Sequence, residues 1–128
     1  MVLGSTGLIG HQVLNYLQCN GNYELHNFAY RKRFNHDTVI LDARNEDTYL
    51  KNIRDIAPDI IVNCVGILIR GANECPENAI FLNSYMPHRL ARLADDINAK
   101  LTHISTDCVF SGNKTTAYTE VCNEMLVS

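Results

Sequence analysis

Three glycines are spaced for one piece of chemistry. In Gly4-Ser5-Thr6-Gly7-Leu8-Ile9-Gly10 they recur at every third position, directly after the apolar pair Val2-Leu3 and directly before a helical pattern. A G-x-x-G-x-x-G turn between a strand and a helix fits a pyrophosphate. Gly4 permits the tight turn, Gly7 lets the main chain approach the phosphates, and Gly10 lets the helix pack closely on the sheet. The helix then offers unpaired N–H groups and the positive end of its dipole to the anion. Thr6, Leu8 and Ile9, between the glycines, are expected to share in that contact. The plain alternative is a tight glycine turn with no ligand.

A dinucleotide site ordinarily carries a carboxylate about 20 residues further on, for the adenosine ribose hydroxyls. Here that region reads Tyr30-Arg31-Lys32-Arg33, with no acid. A guanidinium pairs bidentately with a 2′-phosphate, so these residues favour NADP(H) over NAD(H), with Arg31 as the expected contact. A merely solvated basic turn is the alternative. The five cysteines, at 19, 64, 75, 108 and 122, form no C-x-x-C pair and read as reduced thiols of a cytosolic protein. The histidines show no metal-binding spacing, so no metal is expected. His103, in the apolar run Leu101-Thr102-His103-Ile104, reads as a hydrogen-bonded strand residue.

The elements that must position these residues alternate. Val2-Leu3 is a first strand, and Leu8 to Cys19 places Ile9, Val13, Leu14 and Leu17 on one helical face. Tyr23 to Tyr30 and Thr38 to Leu41 read as two further strands. Asn45 is placed to cap a helix from Glu46 to Ile56, which Pro58 ends. Asp59 to Val65 is apolar on both faces, the pattern of a strand buried in a parallel sheet. A long helix over Pro76 to Asn98 carries Ile80, Asn83, Met86, Leu90, Leu93 and Ile97 at spacings of three and four. Leu101 to Thr106 closes the series as a strand. The order β-α-β-β-α-β-α-β predicts an α/β, doubly wound, mostly parallel sheet.

Composition excludes several classes. The chain has 128 residues, 46% hydrophobic and 20% charged, which suits one folded domain rather than a disordered segment. Eleven Lys and Arg against 14 Asp and Glu give a net charge of −3, so no broad basic surface for nucleic acid is expected. No stretch reads as a membrane span. The start, Met1-Val2-Leu3-Gly4, shows neither a basic leader nor a cleavage pattern, so the expected setting is cytoplasmic.

With the glycine turn, four more segments resemble the short-chain dehydrogenase/reductase superfamily. They are Leu41-Asp42-Ala43-Arg44, Asn63-Cys64-Val65-Gly66, Asn83 in the long helix, and Ser105-Thr106-Asp107-Cys108-Val109-Phe110-Ser111-Gly112 followed by Tyr118-Thr119-Glu120. The last is similar to the STD-x-VF-x-G signature of dTDP-4-dehydrorhamnose reductases and close sugar-nucleotide reductases in the extended branch. The resemblance implies a Rossmann-like sheet with helices on both faces. It implies that Asp42 and Ala43 contact the adenine, and that Cys64, Val65 and Gly66 line the ribose and nicotinamide side. Thr106 matches the family's catalytic hydroxyl; a local Ser-Thr-Asp cap is its alternative. The implied substrate is a nucleotide-linked 4-keto-deoxysugar, reduced by NADP(H). An epimerase or dehydratase of the same superfamily, or a non-catalytic NADP-binding regulatory subunit, stands as the alternative. A homodimer of the full-length protein is compatible with the resemblance.

Asn83 also carries a physical argument. Pro87, four residues later, lacks the N–H that would bond the Asn83 carbonyl and pushes against it, which predicts a helix distortion. In the superfamily the matching asparagine sits at such a distortion and holds a water in the proton relay, and the same is expected of the Asn83 carbonyl. A simple kink with Asn83 packed inside is the alternative. Family reductases pair a tyrosine with a lysine four residues on, whose charge lowers the tyrosine pKa. The residues four beyond the six tyrosines here are Asn20, Asn27, Phe34, Ile53, Arg89 and Cys122, so none qualifies. The expectation is residues 1–128 as an incomplete NAD(P)-binding domain, without the catalytic pair and the substrate-binding region, and without turnover alone.

Overall fold

The computed structural model describes residues 1–106. Five parallel strands form one sheet: β1 (Val2–Leu3), β2 (Asn27–Ala29), β3 (Thr38–Ile40), β4 (Ile60–Asn63) and β5 (Lys100–His103), in the order β3-β2-β1-β4-β5. The helices are α1 (Gly10–Asn20), α2 (Glu46–Ile56), α3 (Ile69–Glu74), α4 (Pro76–Ile80) and α5 (Met86–Asp96). A π turn over Phe81–Tyr85 joins the last two. The predicted order of elements stands, with α3 added. The strand order reverses beside β1, so the turns after β1 and β4 diverge there and open a crevice.

The alternation of each strand sorts its residues between two faces. Leu3 pairs with Phe28 and Asn63, and Ile61 pairs with Leu101, so these residues share one face. On that face Leu3, Phe28 and Ile61 pack with Tyr49, Leu50 and Ile53 of α2 and Met86, Leu90 and Leu93 of α5. Val2, Asn27 and Thr38 share the other face through the pairs Val2–Asn27 and Asn27–Thr38. Leu14 of α1 is fully buried outside the first cluster, which places α1 against this second face.

Several local expectations change. The helix over Glu46–Ile56 has the predicted bounds, but the Asn45 side chain makes no capping bond. Its carbonyl instead accepts the Tyr49 N–H at 2.9 Å, and Ala57 closes the helix in the left-handed region at φ 46°. The strand expected over Asp59 to Val65 is buried on one face only. Ile61 is inaccessible, whereas Ile60, at the entry end of the strand, is 46% exposed. The long helix breaks phase at its π turn. There Met86 donates its N–H to the Phe81 carbonyl five residues back, and the inserted residue turns what precedes it off the core stripe. Met86, Leu90 and Leu93 are therefore buried, while Ile80 is 66% exposed and Asn83 is exposed. The distortion predicted from Pro87 is present; the packed-in alternative for Asn83 is not.

Candidate functional site

The carboxyl ends of β1 to β4 open into a cleft of about 520 Å³. Of the residues singled out in the sequence, Gly4, Thr6, Gly7, Arg31, Asp42, Ala43, Cys64, Val65 and Gly66 line it. Leu8 and Ile9 are exposed and stand off its walls, as do Gly10, Asn83 and Thr106.

The glycine turn is shaped by two steric facts. Gly4 has φ +76°, and a Cβ on it would sit 3.0 Å from the Cys64 carbonyl oxygen, so the turns after β1 and β4 touch here. A Cβ on Gly10 would come within 2.1 Å of the Gly4 carbonyl oxygen. The start of α1 thus rests on the turn itself, a closer partner than the sheet that the sequence suggested. Gly7 closes the turn by donating its N–H to the Gly4 carbonyl at 2.9 Å.

A buried polar chain ties this turn to the β2–β3 loop. Ser5 Oγ donates to Asn27 Oδ1 at 2.9 Å, and Asn27 Nδ2 donates to Asn35 Oδ1 at 3.4 Å. Thr38 Oγ1 donates to the same Asn35 oxygen at 3.0 Å and accepts the Phe34 and Asn35 N–H groups. Ser5, Asn27 and Thr38 are buried. Buried hydroxyls and amides need such partners, and here each polar group satisfies another. None of the four was singled out from the sequence, where Ser5 and Asn27 lie 22 residues apart.

The basic triplet divides. Arg33 turns away, donating Nη1 to the carbonyls of Thr38 at 2.5 Å and His36 at 3.3 Å. Arg31 lines the cleft with its guanidinium 4.9 Å from the Tyr30 ring centre. A cation that the sequence reading passed over joins it: Arg44 also lines the cleft, 5.2 Å from the same ring centre. Arg44 is fixed by Nε to both Asp42 oxygens at 3.0 Å, by Nη2 to Asp42 Oδ2 at 2.6 Å and by Nη2 to the Tyr30 hydroxyl at 2.6 Å. These bonds to the guanidinium hold the Asp42 carboxyl below the usual carboxylate range, against a smaller opposing effect of burial. The signal was the Asp-x-Arg spacing, whose meaning depends on a tyrosine 14 residues earlier.

Across the crevice, Asn83 clamps the segment after β4. Its Oδ1 accepts the Ile67 N–H and its Nδ2 donates to the Ile67 carbonyl, both at 2.8 Å. The π turn presents this side chain to the loop, and Gly66 beside it leaves room, with a Cβ position 3.5 Å from Asn83 Oδ1. Asn63, fully buried, accepts the Val65 N–H at 3.1 Å and bonds His103 Nδ1 at 3.0 Å, so His103 is the hydrogen-bonded strand residue expected. Burial pushes the Cys64 thiol up, so it stays protonated at neutral pH. Tyr49 forms the cleft floor against Phe28, edge to face with ring centres 5.6 Å apart, and burial raises its hydroxyl too. Thr106 lies three residues past β5, at the same carboxyl edge as Gly4 and Cys64, and is exposed. Asp107 to Gly112 and Tyr118 to Glu120 lie outside the described residues.

Strand order, glycine turn and a cleft at the carboxyl edge together define a domain of the Rossmann type. The chain belongs to the RmlD substrate binding domain family, whose model matches residues 1–124. It is 30% identical over 117 residues to a dTDP-4-dehydrorhamnose reductase of Escherichia coli (strain K12), a match covering 88% of this chain and 36% of that protein. It is 26% identical over 121 residues to a probable low-salt glycan biosynthesis reductase, Agl14, of Haloferax volcanii, covering 93% of this chain and 40% of that one. Among solved structures, a dTDP-4-dehydrorhamnose reductase of Bacillus anthracis in complex with NADP superposes with a TM-score of 0.80 at 25% identity. That match covers 98% of this chain and 42% of the other. A hypothetical dTDP-4-dehydrorhamnose reductase from Sulfolobus tokodaii shares the fold with a TM-score of 0.85 at 22% identity, covering 96% and 44%. The chain thus spans well under half the length of these relatives. No helix among the described residues is long and apolar enough to cross a membrane.

Proposed function

We propose that this chain is the cofactor-binding part of an NADP-dependent reductase acting on a nucleotide-linked 4-keto-deoxysugar. The observation that carries the reading is a single cleft lined by both the glycine turn and two guanidinium groups. Those donors suit a dinucleotide with an extra phosphate, because main-chain N–H groups and a helix start take a pyrophosphate while planar cations take a terminal phosphate. When bound, the dinucleotide supplies hydride to the sugar carbonyl.

The chain's own residues bind and orient. Gly4, Thr6 and Gly7 form the pyrophosphate wall, with Leu8, Ile9 and Gly10 supplying the start of α1 above it. Arg31 meets the adenosine phosphate, and Asp42 with Ala43 borders the adenine. Cys64, Val65 and Gly66 line the ribose and nicotinamide side, kept in place by the grip of Asn83 on Ile67. Thr106 bonds the substrate carbonyl. The Asn83 carbonyl, in the π turn, holds a water for proton delivery; a high-resolution crystal structure with no water on that oxygen overturns this part. The reading includes a cytoplasmic setting, in keeping with Cys19, Cys64 and Cys75 as free thiols.

The test is a titration of the chain with NADPH and NADH, followed by intrinsic tyrosine and cofactor fluorescence, with the longer protein assayed for NADPH oxidation on a dTDP-4-keto-deoxysugar. Tighter NADPH binding by the chain, no turnover by the chain alone and turnover by the longer protein are the expected results. Equal affinity for NADH removes the argument from the arginines. Saturable turnover by the 128 residues alone removes the argument from the absent Tyr-x-x-x-Lys pair.

A further inference from the structure

Arg44 is built in more firmly than a surface arginine. Two oxygens of Asp42 and the hydroxyl of Tyr30 hold its Nε and Nη2, so the planar group is fixed before any ligand arrives. Its Nη1 hydrogens have no hydrogen-bond partner among the described residues, and neither has the guanidinium of Arg31. Both groups lie over one aromatic ring at the cleft wall, from two different loops. Bringing two like charges to one ring is unfavourable by itself, and Asp42 offsets only one of them. The rim therefore keeps a surplus positive charge with donors to spare, which is the electrostatic form of a phosphate seat.

Resting on the cofactor reading above, we propose that Arg44 is a second phosphate ligand and sets, with Arg31, the preference for a 2′-phosphorylated dinucleotide. Asp42 acts here as a positioning residue: it is the carboxylate nearest the seat, and its pairing with Arg44 removes the repulsion that a free acid would direct at a phosphate. Pre-organisation of the guanidinium lowers the ordering cost of binding. Arg33 takes no part, because the Thr38 and His36 carbonyls already occupy it. Lys32 is exposed and lines no wall of the cleft.

The probes are 2′,5′-ADP and 5′-ADP, titrated calorimetrically into the full chain at low and moderate salt. The unmodified chain is expected to bind 2′,5′-ADP more tightly. Arg44→Gln is expected to lower that preference about tenfold with 5′-ADP binding little changed, and to flatten the salt dependence. Arg44→Lys, which keeps the charge without the planar fork, is expected to recover part of the loss. Lys32→Gln is the control and leaves the ratio within about twofold; circular dichroism confirms that each variant folds. A ratio that survives both Arg44 substitutions but falls in Arg31→Gln overturns the assignment of Arg44 and leaves the cofactor reading standing. A parent chain that binds both probes equally overturns the cofactor reading, and this inference with it.

Discussion

At the glycine turn the cleft wall is main chain, and at the Tyr30 rim it is side chain. The first is enforced by sterics: Gly10 leaves no room for a Cβ against the Gly4 carbonyl, and Gly4 itself stands at φ +76°. The second is enforced by charge and hydrogen bonds among exposed or half-exposed groups, Arg31, Arg44, Asp42 and Tyr30. The difference teaches where substitutions will be felt. A change in the turn alters folding before it alters binding, whereas a change at the rim alters which ligand binds and leaves the fold intact. The chain Ser5–Asn27–Asn35–Thr38 connects the two and should show both effects at once.

The largest effect is expected at the turn. Gly10→Ala forces a Cβ into the Gly4 carbonyl, and backbone cannot yield as a flexible side chain does. We expect a loss of about 3 kcal/mol or more in urea unfolding. A loss below about 1 kcal/mol would mean that α1 is free to shift and that the turn is not sterically set. Thr38→Val comes next. It keeps the shape but strands the Phe34 and Asn35 N–H groups and frees Asn35, for an expected loss of about 1–2 kcal/mol. It should also weaken the preference for 2′,5′-ADP, because Arg31 rides on the same loop. Stability lost with the preference untouched would cut the proposed link between the two ends.

The smallest effect is at the rim. Asp42 is held low by its bonds to Arg44, so its contribution to stability is present above the ordinary aspartate range. It is lost only as pH falls through the depressed value in the folded protein. The pair is partly exposed, and its contribution to folding is correspondingly slight. A carbon-detected titration should give Asp42 a midpoint below that of an ordinary aspartate, rising toward it in Arg44→Gln. A midpoint unchanged by that substitution would show that the pair does not persist in solution.

Legibility in the sequence divides along the same line. The turn was readable because its physics is local: three glycines, a strand before and a helix after fall within ten residues. The bounds of α2 were readable for the same reason, with Glu46 and Asp47 in the first turn and Pro58 just past the end. Pro87 was enough to foresee a distorted helix, because the clash it makes is four residues away. What it could not show was the bond from Asn83 to Ile67, which spans 16 residues and depends on where α4 meets the loop after β4. Ser5 and Asn27 are 22 residues apart, and nothing periodic joins them. Arg44 stands beside Asp42 and Ala43 in the sequence, but its role comes from Tyr30 on a neighbouring strand end, 14 residues away. The short α3 carries a glycine at Gly71 and no buried residue, so no amphipathic pattern announced it.

The π turn at Phe81–Tyr85 also has a genetic side. A π turn is an α-helix with one residue too many, so deleting Ser84 or Tyr85, which follow Asn83 in that stretch, would take out the extra residue, with Pro87 still denying the shortened helix one N–H bond. The residues after such a deletion would keep their place on the core, while Asn83, which precedes it, would swing about 100° around the helix axis, away from Ile67. In-frame loss of one residue here would thus be tolerated by the fold and felt by the cleft. A deletion scan across positions 78 to 90, scored separately for solubility and for nucleotide binding, would map that one-codon insertion as a narrow window where the two scores part.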